Sequence, residues 1–470
     1  MKKLLCLLLS AVMVLGLCAC GGTGEEGASA EVKGLQVGYG REKIMPESSV
    51  PMAGYTDTLS RMSNGFRDYL YVTCVAFSEG GETVLMITQD LFKSFDSWVE
   101  AARDAITAET EIPAERIMIC STHNHGGPDL ASNHDSIVEY KNVYTQAMAN
   151  AAAAAVADMA PATVYSASTE TEGLNFPRHY KLSDGSYGGD VFGDFTNNTI
   201  EGYANECDTQ MQLVKVDREG EKQDILLMNW QAYACFYATS ASTSLSADFI
   251  APVRDAIEKE TDMLFAYFSG AAGDIKPSSR ISGDNTVYTV EDYGAKLAQY
   301  AIDALPSMTQ LEAGSVKAAQ EEFTYAVNHA DEDKLEQAEE VTQAWDNQGF
   351  DTASALAAGY GFGSVYHARE IVRRIDRPQT DTMELNVVSV GGLAFVAAPY
   401  QMFSETGEYI KEKSPFAMTF ICSCANGAEG NFATQAAYDY HSYEADTNYF
   451  ARGCAEDTAD KFLEMLNSLK

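Results

Sequence analysis

Short apolar runs of strand type alternate with helical segments along this chain, and this alternation restricts the folds open to it. In the clearest unit, we predict a strand over Ile225–Trp230, a helix over 248–259 and a strand over Leu264–Ser269. Asp248 precedes the helix, where its carboxylate can cap the first turn. Strand–helix–strand units favour parallel strands with helices packed on the sheet. The pattern therefore predicts an α/β fold with mixed, largely parallel sheets and packed helices.

Three further segments refine this prediction. The predicted helix over 137–159 contains five consecutive alanines at 151–155, and such a helix packs closely in a core. Apolar runs over 383–390 and 394–397 flank two glycines, which is typical of a β-hairpin. Residues 171–205 are rich in Gly, Asn, Asp and Tyr without clear periodicity, and a loop of that length inside a compact domain is usually functional.

One turn places two histidines at the end of a predicted strand. The apolar run 116–120 leads into residues 121–128, of sequence STHNHGGP, where the glycines and the proline force a turn. Side chains two residues apart in a strand point the same way, so His123 and His125 can converge on one spot. Histidine is a common metal ligand and proton carrier, and the chain contains only seven. We interpret the pair as a functional site; alternatively, one ring bonds the loop and the other faces solvent.

Several predicted strand ends carry glycine-rich or polar loops, as the binding loops of α/β sheets do. The loop after Ser269 lets the backbone approach a ligand closely and presents Asp274 and Lys276. It lacks the Gly-Lys-Ser/Thr order of a phosphate-binding P-loop. We expect these segments, termed the five loops, to meet around one pocket: 122–128, 230–236, 269–280, 399–403 and 426–434.

The first twenty residues resemble a bacterial lipoprotein signal. Two lysines precede an apolar run over 4–17 that is too short to span a bilayer as a mature helix. We predict cleavage before Cys20, lipid on its thiol, and a mature protein anchored to the outer face of the cytoplasmic membrane at the bacterial cell surface. The alternative is a plain secretory peptide or a buried helix. The predicted organisation is a signal peptide over 1–19, a flexible tether over 20–33 and an α/β domain over 34–470.

Acidic residues outnumber basic ones, at 68 against 32, and the formal net charge is −36. Such a chain repels the phosphate backbone of nucleic acids, so we expect no nucleic-acid partner. An anionic headgroup is disfavoured as a ligand for the same reason, unless the fold provides a local basic spot. The main basic cluster, which we interpret as a solvated or salt-bridged face, comprises Arg369, Arg373, Arg374 and Arg377.

Several short motifs follow one another in a defined order. Besides the histidine turn, they are 37–40 (VGYG) with 53–55 (AGY), 229–232 (NWQA) with 245–248 (LSAD), 273–277 (GDIKP), 398–399 (AP) and 425–427 (ANG). In these motifs the chain resembles, from about Gly34 onward, the neutral/alkaline non-lysosomal ceramidases, zinc amidohydrolases that split ceramide into fatty acid and sphingosine. The resemblance implies their N-terminal α/β fold. The separate C-terminal β-domain of the longer ceramidases is expected to be missing, since the chain stops at Lys470.

The resemblance also assigns roles to single positions. The family holds zinc with two His, a Glu and a Tyr. These ligands correspond here to His123, Tyr233 (or Ala234 with a one-residue shift), Gln401 and Asn431. The nucleophilic serine of the family corresponds to Lys276. The catalytic group implied for this chain comprises His125, Arg178, Asp274, Lys276 and Tyr443.

The substituted ligand positions lead to two hypotheses. A catalytic zinc takes about three nitrogen, sulfur or carboxylate ligands plus water, and Tyr233, Gln401 and Asn431 are poor replacements. Lys276 serves either as a base, if burial lowers its pKa, or as a cation that replaces the metal charge. The first hypothesis is a cell-surface hydrolase acting on ceramide-like or other N-acylated lipids. The second is a pseudoenzyme, a surface lipoprotein that binds a lipid or another ligand without catalysis.

Overall fold

A computed structural model describes residues 34–55, 61–93, 95–281 and 288–470, which all belong to one compact unit. The predicted signal peptide, Cys20 and the tether up to residue 33 lie outside the described residues. The strands are β1 (Gln36–Lys43), β2 (Tyr71–Glu79), β3 (Glu82–Gln89), β4 (Ile117–Ser121), β5 (Ala160–Glu170), β6 (Phe176–Pro177), β7 (Tyr180–Leu182), β8 (Tyr187–Gly188), β9 (Ile200–Tyr203), β10 (Gln210–Arg218), β11 (Ile225–Trp230), β12 (Leu264–Ser269), β13 (Ile275–Lys276), β14 (Thr309–Gln310), β15 (Val316–Ala326), β16 (Thr380–Val390), β17 (Leu393–Ala397), β18 (Gln401–Met402), β19 (Met418–Cys422) and β20 (Asn431–Phe432).

The helices connect these strands and cover the sheets. Within the described ranges, no helix combines the length and the apolar character needed to cross a membrane. The α-helices are α1 (Asp96–Thr110), α2 (Asp135–Ala157), α3 (Ile250–Thr261), α4 (Val290–Ala304), α5 (Leu335–Gln348), α6 (Phe350–Gly359), α7 (Val365–Arg374), α8 (Ser404–Lys413), α9 (Gln435–Asp439), α10 (Tyr443–Asp446) and α11 (Cys454–Leu469).

Two mixed sheets form the centre of the fold. The larger has the order β12-β11-β10-β5-β1-β2-β3-β4, with β14 beside β5, and the second has the order β15-β16-β17-β19. The pairs β3–β4, β11–β12 and β17–β19 are parallel, and the other neighbours in these sheets are antiparallel. The predicted mixed α/β class and the β16–β17 hairpin are confirmed. The prediction of largely parallel sheets is wrong, because hairpins such as β2–β3 replace most helical crossovers.

The larger sheet is buried on both faces. In β2, Cys74 and Ala76 belong to a core formed with α1 and α2, whereas Val75 and Phe77 belong to a core formed with the second sheet. This division follows from the period of two of a strand. Helices α3 and α4 cover the larger sheet near β11 and β12, and α8 and α11 cover the outer face of the second sheet. The fold therefore has four layers: helices, sheet, sheet and helices.

The alanine-rich helix α2 lies directly on β1. A Cβ atom added to Gly38 would come within 1.9 Å of Ala155 O, and one added to Gly40 within 2.0 Å of Ala151 O. The two backbones meet because neither segment carries bulky side chains at these positions. The close packing predicted for this helix is confirmed, and its partner is the VGYG motif.

Helix α3 begins two residues later than predicted. Asp248 lies in the preceding loop with a left-handed φ of 56°, and the N-cap residue is Phe249. The Asp248 carboxylate accepts hydrogen bonds from the backbone N–H groups of Phe236, Tyr237 and Ala238 at 2.9, 2.9 and 3.0 Å. The N-cap prediction is wrong because these loop donors take the carboxylate, which thereby organises the loop after β11.

The carboxyl ends of several strands meet where β19 ends. Ser121 N, at the end of β4, donates to Cys424 O at 3.0 Å, and Ser423 N donates to Ser269 O, at the end of β12, at 3.1 Å. Strand β11 is the parallel partner of β12, and β17 that of β19. The loops that follow these five strands therefore begin side by side.

Candidate functional site

The five loops line one cavity of about 810 Å³. Residues from the 171–205 segment, from the loop after β3, from α7 and from 443–449 also line it. The predicted convergence of the loops is therefore confirmed, while the chemical roles of their residues stay predictions. Eight of the nine predicted site residues line the cavity: His123, His125, Arg178, Tyr233, Lys276, Gln401, Asn431 and Tyr443.

A left-handed bend, not the pleat of a strand, brings the two imidazoles together. Strand β4 ends before the histidines, and His123 has a φ of 54°. The ring centroids of His123 and His125 lie 5.3 Å apart. Asn124 holds the bend, because its Nδ2 donates to Asp90 O at 3.0 Å and to Ser246 O at 2.7 Å. The two rings converge as predicted, along a different backbone path.

Both imidazoles are neutral near pH 7. Burial lowers the pKa of His123 well below its ordinary value, and His125 and Lys93 lower it further. Burial, with help from Arg178, lowers the pKa of His125 to about 3. Neither ring nitrogen of His125 has a hydrogen-bond partner among the described residues. His125 therefore presents an unpaired neutral ring, whose nitrogen lone pair can accept a hydrogen bond from a bound molecule.

The three other predicted ligand positions meet opposite the histidines. Tyr233 stacks on His123 with the ring centroids 4.2 Å apart. Its hydroxyl donates toward Gly273 O at 2.7 Å and Gln401 Oε1 at 2.8 Å, so the two acceptors share one proton. Gln401 pairs directly with Asn431 through the parallel bridge of β18 and β20. Neutral side chains therefore occupy all three of these predicted ligand positions.

The alternative register at Ala234 does not place that residue in the cavity. Ala234 is fully buried, and its carbonyl accepts a hydrogen bond from His125 N at 3.1 Å. Tyr233 is the residue of the two that lines the cavity. The position opposite His123 is thus occupied by a phenol.

Arg178 and Lys276 share one carboxylate on the cavity wall. Lys276 Nζ lies 2.6 Å and Arg178 Nη2 lies 3.3 Å from Asp190 Oδ2. Burial raises the pKa of Asp190, but the two cations outweigh this effect and hold that pKa below its ordinary value. Arg178 Nη1 also lies 3.0 Å from the buried Glu444, whose other oxygen lies 2.7 Å from His179 Nε2. His179 therefore braces Arg178 from behind.

Asp274 lies behind the cavity wall and is not among the described residues that line it. Its Oδ1 accepts a hydrogen bond from Ser404 N at 2.8 Å, and its Oδ2 accepts one from Asn205 Nδ2 at 2.6 Å. Its carbonyl accepts one from Arg178 N at 2.9 Å. The predicted placement of Asp274 beside the ligand is wrong, because both carboxylate oxygens hold neighbouring loops.

The loop after β3 supplies two cavity residues that sequence reasoning missed. The ring centroid of Phe92 lies 4.3 Å from that of His123, and Lys93 follows it. Strand β3 runs parallel to β4, so its carboxyl end reaches the same edge as the histidine turn. Applying the strand-end rule to β3 would have identified both residues.

The basic cluster on α7 is not simply a solvated face. Arg373 and Arg377 line the cavity, and Arg374 is buried. Arg373 Nη1 pairs with Glu370 Oε2 at 3.1 Å. The predicted salt-bridged face is confirmed for Arg373 and Arg377, whereas Arg374 is buried.

Comparisons with known proteins show which fold this chain has. No protein-family model matches the sequence, and no curated protein sequence matches it. The crystal structure of neutral ceramidase from Pseudomonas aeruginosa is similar, with a TM-score of 0.70 and 15% identity over 93% of this chain and 74% of that chain. A ceramidase complexed with C2 is similar, with a TM-score of 0.69 and 14% identity over 93% and 75%. The chain has the neutral ceramidase fold.

The ceramidase resemblance implies zinc, but the donor set of this chain does not fit that ion. Burial raises the pKa of Tyr233 well above its ordinary value, so its phenol stays protonated. Gln401 and Asn431 offer only neutral amides, which leaves His123 as the one good zinc donor of the four positions. Among the described residues, no group of three or more His, Cys, Asp or Glu is arranged to hold a metal.

Proposed function

We propose that the protein is a ceramidase-like hydrolase of the cell surface, acting on the amide bond of ceramide-like or other N-acylated lipids. The observation that carries the proposal is the convergence of eight predicted positions on one cavity in a ceramidase fold. The cavity volume lies within the roughly 300–1,000 Å³ of small-molecule sites. Aromatic side chains at its wall offer apolar contacts for an acyl chain: Tyr55, Phe92, Phe95, Tyr366, Tyr443 and Tyr449.

The side chains of the cavity support amide hydrolysis in principle. The reaction adds water across the C–N bond and leaves a carboxylate and an amine. The neutral, unpaired ring of His125 can accept a hydrogen bond from the attacking water and so orient it. Arg178 and Lys276 bring positive charge to the cavity wall, which would stabilise the negative charge that develops on a carbonyl oxygen bound beside them.

Product release tests this proposal directly. The purified mature chain is incubated with a short-chain ceramide, and fatty acid and sphingosine are measured by mass spectrometry. We expect release that falls on the order of 10²-fold or more in His125→Gln. Lys413→Met, at an exposed lysine above Tyr409 and outside the cavity, should leave the rate unchanged. Release of fatty acid and sphingosine no faster than in an enzyme-free blank would refute the proposed hydrolase activity.

A second candidate is a non-catalytic surface protein that binds an N-acylated lipid. The bond between Tyr233 and Gln401 favours it, because two neutral groups satisfy each other where the family is expected to hold zinc. Calorimetric binding of a short-chain ceramide without product release would support this candidate. Product release that depends on His125 would eliminate it.

We also propose that Cys20 carries the lipid that holds the chain at the membrane surface. The apolar run before it and the two glycines after it support this proposal. A Cys20→Ser variant should leave the membrane fraction when cells are fractionated. If the variant stays with the membranes to the same extent, the anchor lies elsewhere.

A further inference from the structure

The wall of the cavity differs in charge from the rest of the chain. The whole chain carries a formal charge of −36. The residues that line the cavity include five cations and four carboxylates, so the wall is much less acidic than the chain as a whole. The charged residues that line it are Lys93, Arg178, Lys276, Arg373 and Arg377 on the positive side, and Asp129, Asp190, Glu370 and Glu429 on the negative side.

Each carboxylate of the wall already has a partner within the chain. Asp190 accepts from Lys276 and Arg178, and Glu370 pairs with Arg373. The Tyr449 hydroxyl donates to Glu429, and Ala131 N donates to Asp129 Oδ1 at 3.1 Å. Two cations of the wall also pair with carboxylates outside it, Arg178 with Glu444 and Arg377 with Asp381, so four of its five cations have a carboxylate partner.

Lys93 is the fifth cation of the wall. Among the described residues, no carboxylate lies within ion-pair distance of its ammonium, which lies 5.4 Å from the ring centroid of Phe92 and 5.5 Å from that of Phe95. The side chain is half-buried, and burial lowers the pKa of Lys93. An ammonium held in this way gains a charge-assisted hydrogen bond when an anion enters the cavity.

Lys93 and the histidine pair border the same part of the cavity. Phe92 contacts both imidazoles, with ring centroids 4.3 Å from His123 and 5.2 Å from His125, and Lys93 is the next residue. We propose that the cavity takes an N-acylated ligand whose head carries a carboxylate, as in an N-acyl amino acid, and that Lys93 binds this carboxylate. In such a ligand one carbon atom separates the amide from the carboxylate, so the histidine pair and Lys93, which border the same part of the cavity, can contact both groups. The ammonium of Lys93, which has no ion-pair partner among the described residues, matches a singly charged anion.

This inference rests on the proposed function, from which it takes the N-acyl amide of the ligand. It adds that the head of the ligand carries a negative charge. The test compares N-dodecanoylglycine with N-dodecanoylethanolamine, which has the same acyl chain and amide but a neutral head. Dissociation constants are measured by calorimetry below micellar concentrations, or KM values where turnover occurs. We expect the glycine compound to bind about tenfold more tightly, or better.

Variants of Lys93 test whether its charge causes the preference for the glycine compound. Lys93→Met should remove the preference while leaving the affinity for the neutral amide unchanged, and Lys93→Arg should retain it. Lys413→Met is the matched control, since that lysine also lies over an aromatic ring but outside the cavity. Circular dichroism and the unfolding midpoint confirm that each variant is folded.

The outcomes separate this inference from the proposed function. Equal affinity for the two amides in the unmodified chain, or a preference that survives Lys93→Met, overturns the carboxylate inference and leaves the N-acyl proposal standing. Dodecanoate binding as tightly as N-dodecanoylglycine, with both weakened by Lys93→Met, supports anion recognition by Lys93 and counts against the amide as a recognised group.

Discussion

Different contacts hold two walls of the cavity. The histidine wall comprises residues 122–128, and the opposite wall comprises Tyr233, Lys276, Gln401 and Asn431. Asn124 of the histidine wall donates a hydrogen bond to the carbonyl oxygen of Asp90. The Asp90 carboxylate pairs with Arg254 at 2.7 Å, and both side chains are buried. The opposite wall includes the pair Lys276–Asp190, with each side chain about one quarter exposed.

This difference coincides with where the chain departs from the ligand set that the resemblance implies. His123 is retained on the histidine wall, whereas the three substituted positions all lie opposite. Gln401 and Asn431 belong to two-residue strands, and Tyr233 follows the end of β11. A side chain on a short bridge can be exchanged without disturbing a sheet, so the opposite wall can change its chemistry while the cavity keeps its shape.

Restoring the donors of the opposite wall should have the largest effect. The triple variant Tyr233→His, Gln401→Glu and Asn431→Tyr supplies the ligand types that zinc accepts beside His123. We expect its zinc affinity to rise on the order of 10⁴-fold, about 5.5 kcal/mol, in a competition titration with a chelating dye.

Adding His123→Ala to the triple variant provides the control, because it removes the donor from the histidine wall. The gain should then disappear. If the triple variant binds zinc no better than the unmodified chain, the opposite wall does not present these positions to His123.

Removing the buried pair behind the histidine wall should have the next largest effect. Arg254→Leu leaves the Asp90 carboxylate buried without its cation, which costs about 3–5 kcal/mol of unfolding free energy. Urea unfolding followed by circular dichroism measures this cost. The double variant Arg254→Leu, Asp90→Asn should recover part of it, since no charge is left unpaired. A cost below about 1 kcal/mol would mean that the histidine wall is not held by this pair.

Local patterns predicted much of the fold, and distant pairing accounts for what they missed. The β16–β17 hairpin and the close packing of α2 follow from residues adjacent in the sequence. The antiparallel pairing of β1 with β5 joins residues more than a hundred positions apart, as in Gln36 beside Pro161. No periodicity within either strand carries that information, so the proportion of parallel pairs was overestimated.

In the candidate site, too, local patterns predicted some residues and missed those whose role depends on distant contacts. His123 and His125 were recognised because the turn itself is unusual in composition. Asp190 was missed because its segment has no periodicity, and its role depends on two cations that reach it from other loops. The position of Asp274 was mistaken because a carboxylate in a glycine-rich loop can face a ligand or hold the backbone. Only the neighbours of that carboxylate distinguish the two cases.

The smallest effect should come from Asp274, which supports the opposite wall. Burial raises its pKa from 3.8 to about 6. The folded chain thus binds this proton more tightly than the unfolded chain does, and the resulting stabilisation is complete below pH 3.8 and lost as pH rises through about 6. Relative to Asp274→Asn, the unmodified chain should lose up to about 3 kcal/mol of unfolding free energy between pH 4 and pH 7.

Urea unfolding of both proteins across this range measures the difference, in which titrations common to both cancel. Asp135→Asn, at an exposed position in the first turn of α2, should follow the profile of the unmodified chain. Parallel profiles for Asp274→Asn and the unmodified chain would mean that the Asp274 carboxylate is solvated. Its hydrogen bonds to Ser404 N and Asn205 Nδ2 could then not hold the opposite wall as firmly as the buried pair holds the histidine wall.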